Sequence, residues 1–282
     1  MRYRDILVQL DREPATDANG RRRAYAISLA AALDAHLTGL VFELEPQIPG
    51  LALGEMPVDF MEGLRRESAE GARRAADTFN RAAEGEGISY ESRTVHVTSA
   101  AAPGELASQA RVSDLVVIGQ HDPDESETLA EGVIEAALFE SGRPVLIVPY
   151  IGYDSVRFGR IIVAWDGGRE ASRAAHDALP LLERAENVEV LVIGERIPAA
   201  QAGEPGADLA QHLARHGVKV TAKRINAPDV DVGNATLSHA ADYGADLLVM
   251  GGYARSRLRQ VILGGMTRSV LETMTLPVLM SH

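Results

Sequence analysis

One arrangement of chain segments occurs twice along the 282 residues. Ile6-Leu7-Val8-Gln9-Leu10 runs into Asp11, and Ile161-Ile162-Val163-Ala164-Trp165 runs into Asp166. Asp114-Leu115-Val116-Val117-Ile118-Gly119 precedes a helical stretch and then Pro144-Val145-Leu146-Ile147-Val148-Pro149. Its counterpart is Asp246-Leu247-Leu248-Val249-Met250-Gly251, a helical stretch, and Pro277-Val278-Leu279-Met280. Gly251 follows Gly119 by 132 residues and Pro277 follows Pro144 by 133. An offset that holds across two elements identifies a duplicated unit. Asp166 follows Asp11 by 155, so the first copy carries about 22 additional residues.

Between these landmarks the hydrophobic period switches regularly. In the first copy the pattern predicts helices at 21–36 and 101–111 and strands at 37–44, 89–97 and 115–119. Phe60, Leu64, Ala72, Ala75, Ala76, Phe79 and Ala83 fall on one face of a long helix, which with the loop at 46–57 accounts for the added length. Leu129, Val133, Ile134, Ala137 and Leu138 mark another. The second copy predicts strands at 160–165, 188–193, 219–225, 247–250 and 278–280, and helices at 170–184, 208–216, 233–243 and 265–274. Strand and helix in alternation imply right-handed crossovers and a parallel sheet covered on both faces. The strands are continuously apolar, as doubly buried strands are. The expectation is an α/β protein of two tandem doubly wound domains with five strands each. Their boundaries are 1–150 and 160–282, with a linker at 151–159.

The formal charge is −12, and all of it lies early. Residues 1–155 carry 14 Arg and 26 Asp/Glu, whereas 156–282 carry 14 of each sign. Such an acidic chain is a poor partner for nucleic acid or an anionic membrane, and neither is expected. The absence of cysteine excludes disulfides, thiolate metal sites and cysteine nucleophiles. No run reaches the roughly 18 apolar residues of a membrane span and no secretory leader is recognisable, so the expected location is cytoplasmic.

Ligands of open parallel sheets bind outside the carboxyl ends of the strands, where strand order reverses. In the second copy this selects Asp166-Gly167-Gly168 and the segment from Gly251 to Thr267. A carboxylate at position 166 suits a ribose hydroxyl or an adenine amine, or simply caps the next helix. The longer segment has Gly251, Gly252, Gly264 and Gly265 at its ends and Arg255, Arg257 and Arg259 between them. Backbone amides at a helix start, unobstructed by side chains, suit phosphate. Alternating arginines are equally consistent with a solvated loop. In the first copy Asp11 persists, but Asp122-Pro123-Asp124-Glu125-Ser126-Glu127 stands in place of the phosphate segment. Each like-charge contact near 4 Å is unfavourable by roughly 4 kcal/mol at an effective dielectric of 20, so this copy is expected to have lost its site. His212 and His216 are spaced as a metal pair, but without the glutamate of a zinc-protease motif no metal site is assigned. No Gly-x-Ser-x-Gly elbow, Gly-Lys-(Ser/Thr) loop or positioned general base is visible, so a weak ATPase ranks behind a binding role. Trp165 reads as core or pocket wall.

The doubled unit, with its last strand, glycine-bounded loop, helix and Pro-Val strand, resembles the universal stress protein family in tandem form. The resemblance implies a Rossmann-like fold of the adenine nucleotide alpha hydrolase type and a role in stress response. Nucleotide-binding members carry Gly-x2-Gly-x9-Gly-(Ser/Thr) after strand four and Asp at the end of strand one. Gly251, Gly264 and Asp166 match; Val192 or Ile193 lies near the strand-two position whose backbone meets adenine in that family. The implied contact set is Asp166, Gly167, Val192, Met250, Gly251, Gly252, Ala254, Arg255, Gly264, Gly265, Met266 and Thr267. The implied ligand is ATP or ADP, with Mg²⁺. Two positions depart from the motif: Ala254 replaces its second glycine and Gly265 its hydroxyl residue. A left-handed Ala costs roughly 1–2 kcal/mol, and the lost hydroxyl contact roughly 0.5–1.5 kcal/mol. The alternative is a stress protein without nucleotide that acts through a partner surface. The closing strands are edges in that family, so the two copies are expected to pair through them, with a homodimer as a further possibility.

Overall fold

A computed structural model describes residues 2–11, 17–46, 58–121, 128–194, 206–227, 231–252, 254–257, 260–263 and 265–282. The first unit comprises β1 (Asp5–Leu10), α1 (Asp17–Leu33), β2 (His36–Leu44), α2 (Val58–Gly85), β3 (Tyr90–Val97), α3 (Ala102–Ala110), β4 (Leu115–Gly119), α4 (Thr128–Glu140) and β5 (Val145–Val148). The second begins with β6 (Arg160–Ala164), α5 (Arg169–Asp177), α6 (Leu179–Leu182), β7 (Asn187–Ile193), α7 (Ala207–Arg215) and β8 (Val220–Ile225). It continues with α8 (Val232–Tyr243), β9 (Leu247–Gly251), β10 (Ala254–Arg257), β11 (Gln260–Leu263), α9 (Gly265–Thr273) and β12 (Val278–Ser281).

The two five-stranded sheets are one ten-stranded sheet, ordered β3-β2-β1-β4-β5-β12-β9-β6-β7-β8. Every neighbouring pair is parallel except β5 and β12, which meet antiparallel with Val145 opposite Met280, Leu146 opposite Leu279 and Ile147 opposite Val278. All six side chains are fully buried. Each contributes about 1.5–3 kcal/mol by leaving water, and the ladder between them consumes two edges that would otherwise stay unpaired. Helices seal the junction on both faces. The Tyr3 hydroxyl donates to the Asp177 carbonyl, and the Arg184 guanidinium to the Ala32 carbonyl at 2.7 Å. On the other face Gln120 Nε2 donates to the Leu271 carbonyl at 2.9 Å. Burial pushes the phenols of Tyr3 and Tyr25 far above their usual range, so both stay neutral donors.

Three expectations are modified. The helix at 170–184 is two pieces, because Pro180 lacks an N–H and its ring displaces the carbonyl four residues back. Phe60 is exposed rather than part of the buried face of α2, whereas Ala72, Ala75, Phe79 and Ala83 are buried. A 28-residue helix is about 42 Å long and overhangs strands of eight or nine residues, about 30 Å at most. The segment after β9 contains an antiparallel hairpin, β10 against β11, in which Arg255 faces Ile262 and Arg257 faces Gln260 across the ladder. Among the described residues no helix is long and apolar enough to cross a membrane.

Candidate functional site

Strand order reverses between β6 and β9 in the second unit, and their carboxyl ends open a crevice of about 70 Å³ that continues into solvent. Its apolar walls come from Leu191 and Ile193 of β7, Met250 of β9, Val232 of α8 and Met266 of α9, with Ala164 and Trp165 beneath. Asp166, Glu170 and Thr236 supply its polar groups. The Thr236 hydroxyl is committed to the Val232 carbonyl at 2.7 Å.

The turn after β6 is built by its glycines and its aspartate. Gly167 sits at φ +76°, a left-handed conformation that favours glycine. Asp166 Oδ1 accepts the Gly168 N–H at 2.7 Å, closing the turn that starts α5. Asp166 is thereby a local turn residue and, being exposed in the crevice wall, also a ligand-facing carboxylate. Substituting Gly167 with Ala is expected to cost about 1–2 kcal/mol in thermal unfolding, because the turn forces the new side chain into the left-handed region.

Glu170, absent from the sequence-derived set, stands in the first turn of α5, where a negative charge complements the helix dipole. Its Oε1 accepts from Arg169 Nε at 2.5 Å, and this bond holds the carboxyl below the usual carboxylate range against the opposing effect of burial. Two carboxylates therefore border the crevice. Nothing in the local sequence separates Glu170 from the many solvated first-turn acids of other helices; its relevance comes from how closely α5 approaches β9. That approach also accounts for Gly251. A Cβ there would lie 2.7 Å from the Ala171 amide nitrogen and 2.8 Å from the Glu170 carbonyl carbon. Both are backbone atoms, so helix packing alone demands glycine at this position.

Of the residues singled out from sequence, Asp166, Met250, Gly251 and Met266 line the crevice. Strand side chains alternate, so those of Leu191 and Ile193 face the crevice while that of Val192 packs against Gly206 on the opposite face, leaving only the backbone of Val192 toward the strand-two position named from the sequence. Gly252 is buried beside Gly251, its N–H bonded to the Ser281 carbonyl at 2.8 Å. Gly265 opens α9 with open space around it, and Thr267 is buried in the next positions of that helix. Gly264 and the side chains of Ala254 and Arg255 lie outside the described residues.

At the equivalent place in the first unit, between β1 and β4, a buried arginine lies against the strand ends. Arg22 of α1 is buried, and its NH2 group pairs with Asp11 while NH1 donates to Gln9 Oε1 at 2.7 Å. Gln9 Nε2 in turn donates to Asp11 Oδ1 at 2.8 Å. A Cβ on Gly119 would stand 2.8 Å from Arg22 NH1, so the guanidinium lies against the end of β4. The acidic run at 122–127, on which the sequence argument for a lost site rests, lies outside the described residues. Arg22, which no local sequence pattern marks, lies at this place among the described residues. Among the described residues no group of three or more metal-ligating side chains is assembled in either unit.

Residues 157–282 match the Universal stress protein family, so the second unit carries a domain of that family. A universal stress protein from Archaeoglobus fulgidus DSM 4304 superposes with a TM-score of 0.71 at 17% identity, over 98% of this chain and 97% of that one. A functionally unknown protein from Pseudomonas aeruginosa PAO1 superposes with a TM-score of 0.57 at 17% identity, over 99% and 92% of the two chains. Similarity at this level fixes the fold of nearly the whole chain. Among curated protein sequences, none matches.

Proposed function

We propose that the chain is a tandem universal stress protein, a cytoplasmic binding or signalling module of the stress response, with ATP or another adenine nucleotide held by its second unit alone. The observation that carries this is the contrast between equivalent positions. Arg22 lies against the strand ends at the first, whereas the second keeps an apolar wall of Leu191, Ile193 and Met250 beside Asp166. An apolar wall suits a purine, and a carboxylate beside it suits ribose hydroxyls. Asp166 and Glu170 oppose bare phosphate, and Mg²⁺ would offset that repulsion.

Denaturing the purified protein and analysing the released small molecules by mass spectrometry tests the reading. ATP or ADP at about one per chain is expected, and added nucleotide is expected to raise the thermal midpoint. Asp166→Ala should weaken binding about tenfold to a hundredfold, the loss of a charged hydrogen bond. Asp166→Asn, which keeps an acceptor for the Gly168 N–H, separates loss of charge from loss of the turn. No released nucleotide, together with no midpoint shift with ATP and Mg²⁺, would instead favour a protein-partner surface. That second reading draws support from Gly251, which helix packing explains without a phosphate.

A further inference from the structure

The opposite end of the sheet carries the reverse asymmetry. Strands β1, β2 and β3 bring Leu7, Thr38 and Glu91 into one row, and β6, β7 and β8 bring Ile162, Glu189 and Thr221 into the corresponding row. The second unit covers its row with side chains. His239 of α8 bonds Glu189 Oε1 at 2.5 Å, its ring lies parallel to Tyr243 with centroids 6.1 Å apart, and the Arg160 guanidinium is 5.4 Å from the Tyr243 centroid. In the first unit α3 ends at Ala110, and a cavity of about 230 Å³ remains over the row.

The wall of this cavity is polar and of both signs. Glu91 and Arg93 are two apart on β3, hence on one face, and form an ion pair. Glu91 also accepts from the Thr38 hydroxyl at 3.3 Å, and Arg93 NH1 donates to Gln109 Oε1 at 3.2 Å. Asp5, His36 and Ser113 complete the polar lining, and the buried Leu7, on the same face of β1 as Asp5, provides an apolar floor. At about 30 Å³ per water, 230 Å³ holds roughly seven or eight waters, or an organic molecule of similar heavy-atom count.

We propose that this cavity binds a small free amino acid, its carboxylate on the Arg93 guanidinium and its ammonium on Glu91. The Glu91–Arg93 pair is 44% and 42% exposed, so it opens at little cost. A zwitterion then replaces one ion pair by two, one of them a guanidinium–carboxylate fork. A lone anion on Arg93 would leave Glu91 unpaired beside Asp5, and a lone cation on Glu91 would leave Arg93 without its partner.

The test is thermal unfolding of the full chain with each common amino acid at about 10 mM, followed by calorimetry on any that raises the midpoint. One or a few small amino acids are expected to bind one per chain. Arg93→Gln should weaken binding at least about tenfold while Asp166→Asn leaves it unchanged, which separates this site from the crevice of the second unit. Should Arg93→Gln itself alter the ligand-free midpoint, Val112→Trp serves instead: Val112 is an exposed wall residue, and an indole there closes the cavity and should abolish binding. The proposal is overturned if no amino acid raises the midpoint, if binding survives both variants, or if sugars or polyols bind and amino acids do not.

Discussion

Gly251→Ala is expected to destabilise the protein by roughly 2–3 kcal/mol and to lower its thermal midpoint by about 5–10 °C, the size of an overpacking defect in a chain this long. The new methyl would meet the Ala171 nitrogen and the Glu170 carbonyl carbon, so α5 as a body must move away from β9. Because that helix begins at the Asp166–Gly168 turn, the variant should also lose whatever ligand the crevice holds. Gly119→Ala is the matched control. It stands at the same place in the first unit, yet the new methyl meets only the Arg22 side chain, whose NH1 can shift. A cost of about 1 kcal/mol or less is expected there, close to one lost hydrogen bond. Comparable small shifts from both substitutions, measured by thermal unfolding, would mean that α5 adjusts freely and that Gly251 serves a ligand after all.

The difference between these two glycines also shows what a sequence conveys. Gly119 and Gly251 end the same strand of a repeated unit, and the fixed offset between copies makes their equivalence legible without coordinates. The strands and most helices follow from the same source, since continuous apolar runs and 3.6-residue periodicity reflect burial directly. What surrounds each glycine depends on the approach of a helix distant in sequence, and no local pattern encodes it. Arg22 lies in an alanine-rich helix among two other arginines, so nothing marks it as the buried one. The β10–β11 hairpin was hidden for a different reason. Between Arg257 and Gln260 the sequence reads Leu258-Arg259, without the Asn or Gly that normally signals a hairpin. The position of the strand-order reversal is legible in outline because the switch point is a property of topology. Which of Val192 and Ile193 turns its side chain to the crevice is not legible in a continuously apolar run, since a shift of one residue inverts the face.

Arg22→Met is expected to cost about 2–4 kcal/mol, somewhat less than breaking a fully buried ion pair, because Asp11 retains partial access to water. The loss has two parts. Gln9 Oε1 gives up a 2.7 Å donor in a buried place, and Asp11 loses the cation that balances it. Asp11→Asn is expected to cost about 1–3 kcal/mol from the other side, since it removes the aspartate charge paired with the buried guanidinium. If the pair is a coupled unit, the double variant Arg22→Met/Asp11→Asn should be more stable than the sum of the single losses predicts, by about 1–3 kcal/mol in a urea-denaturation cycle. The guanidinium is almost inaccessible, so added salt should change this coupling little. A coupling near zero would mean that Arg22 is held by packing alone and that the first crevice is closed by shape. A large, salt-resistant coupling would make Arg22 the internal occupant of that crevice, its charge taken up by the aspartate that in the second unit faces outward. On that outcome the duplication left one strand-one carboxylate satisfied by the chain and one exposed at the wall of an open slot, which is why a ligand is expected at one crevice and not at two.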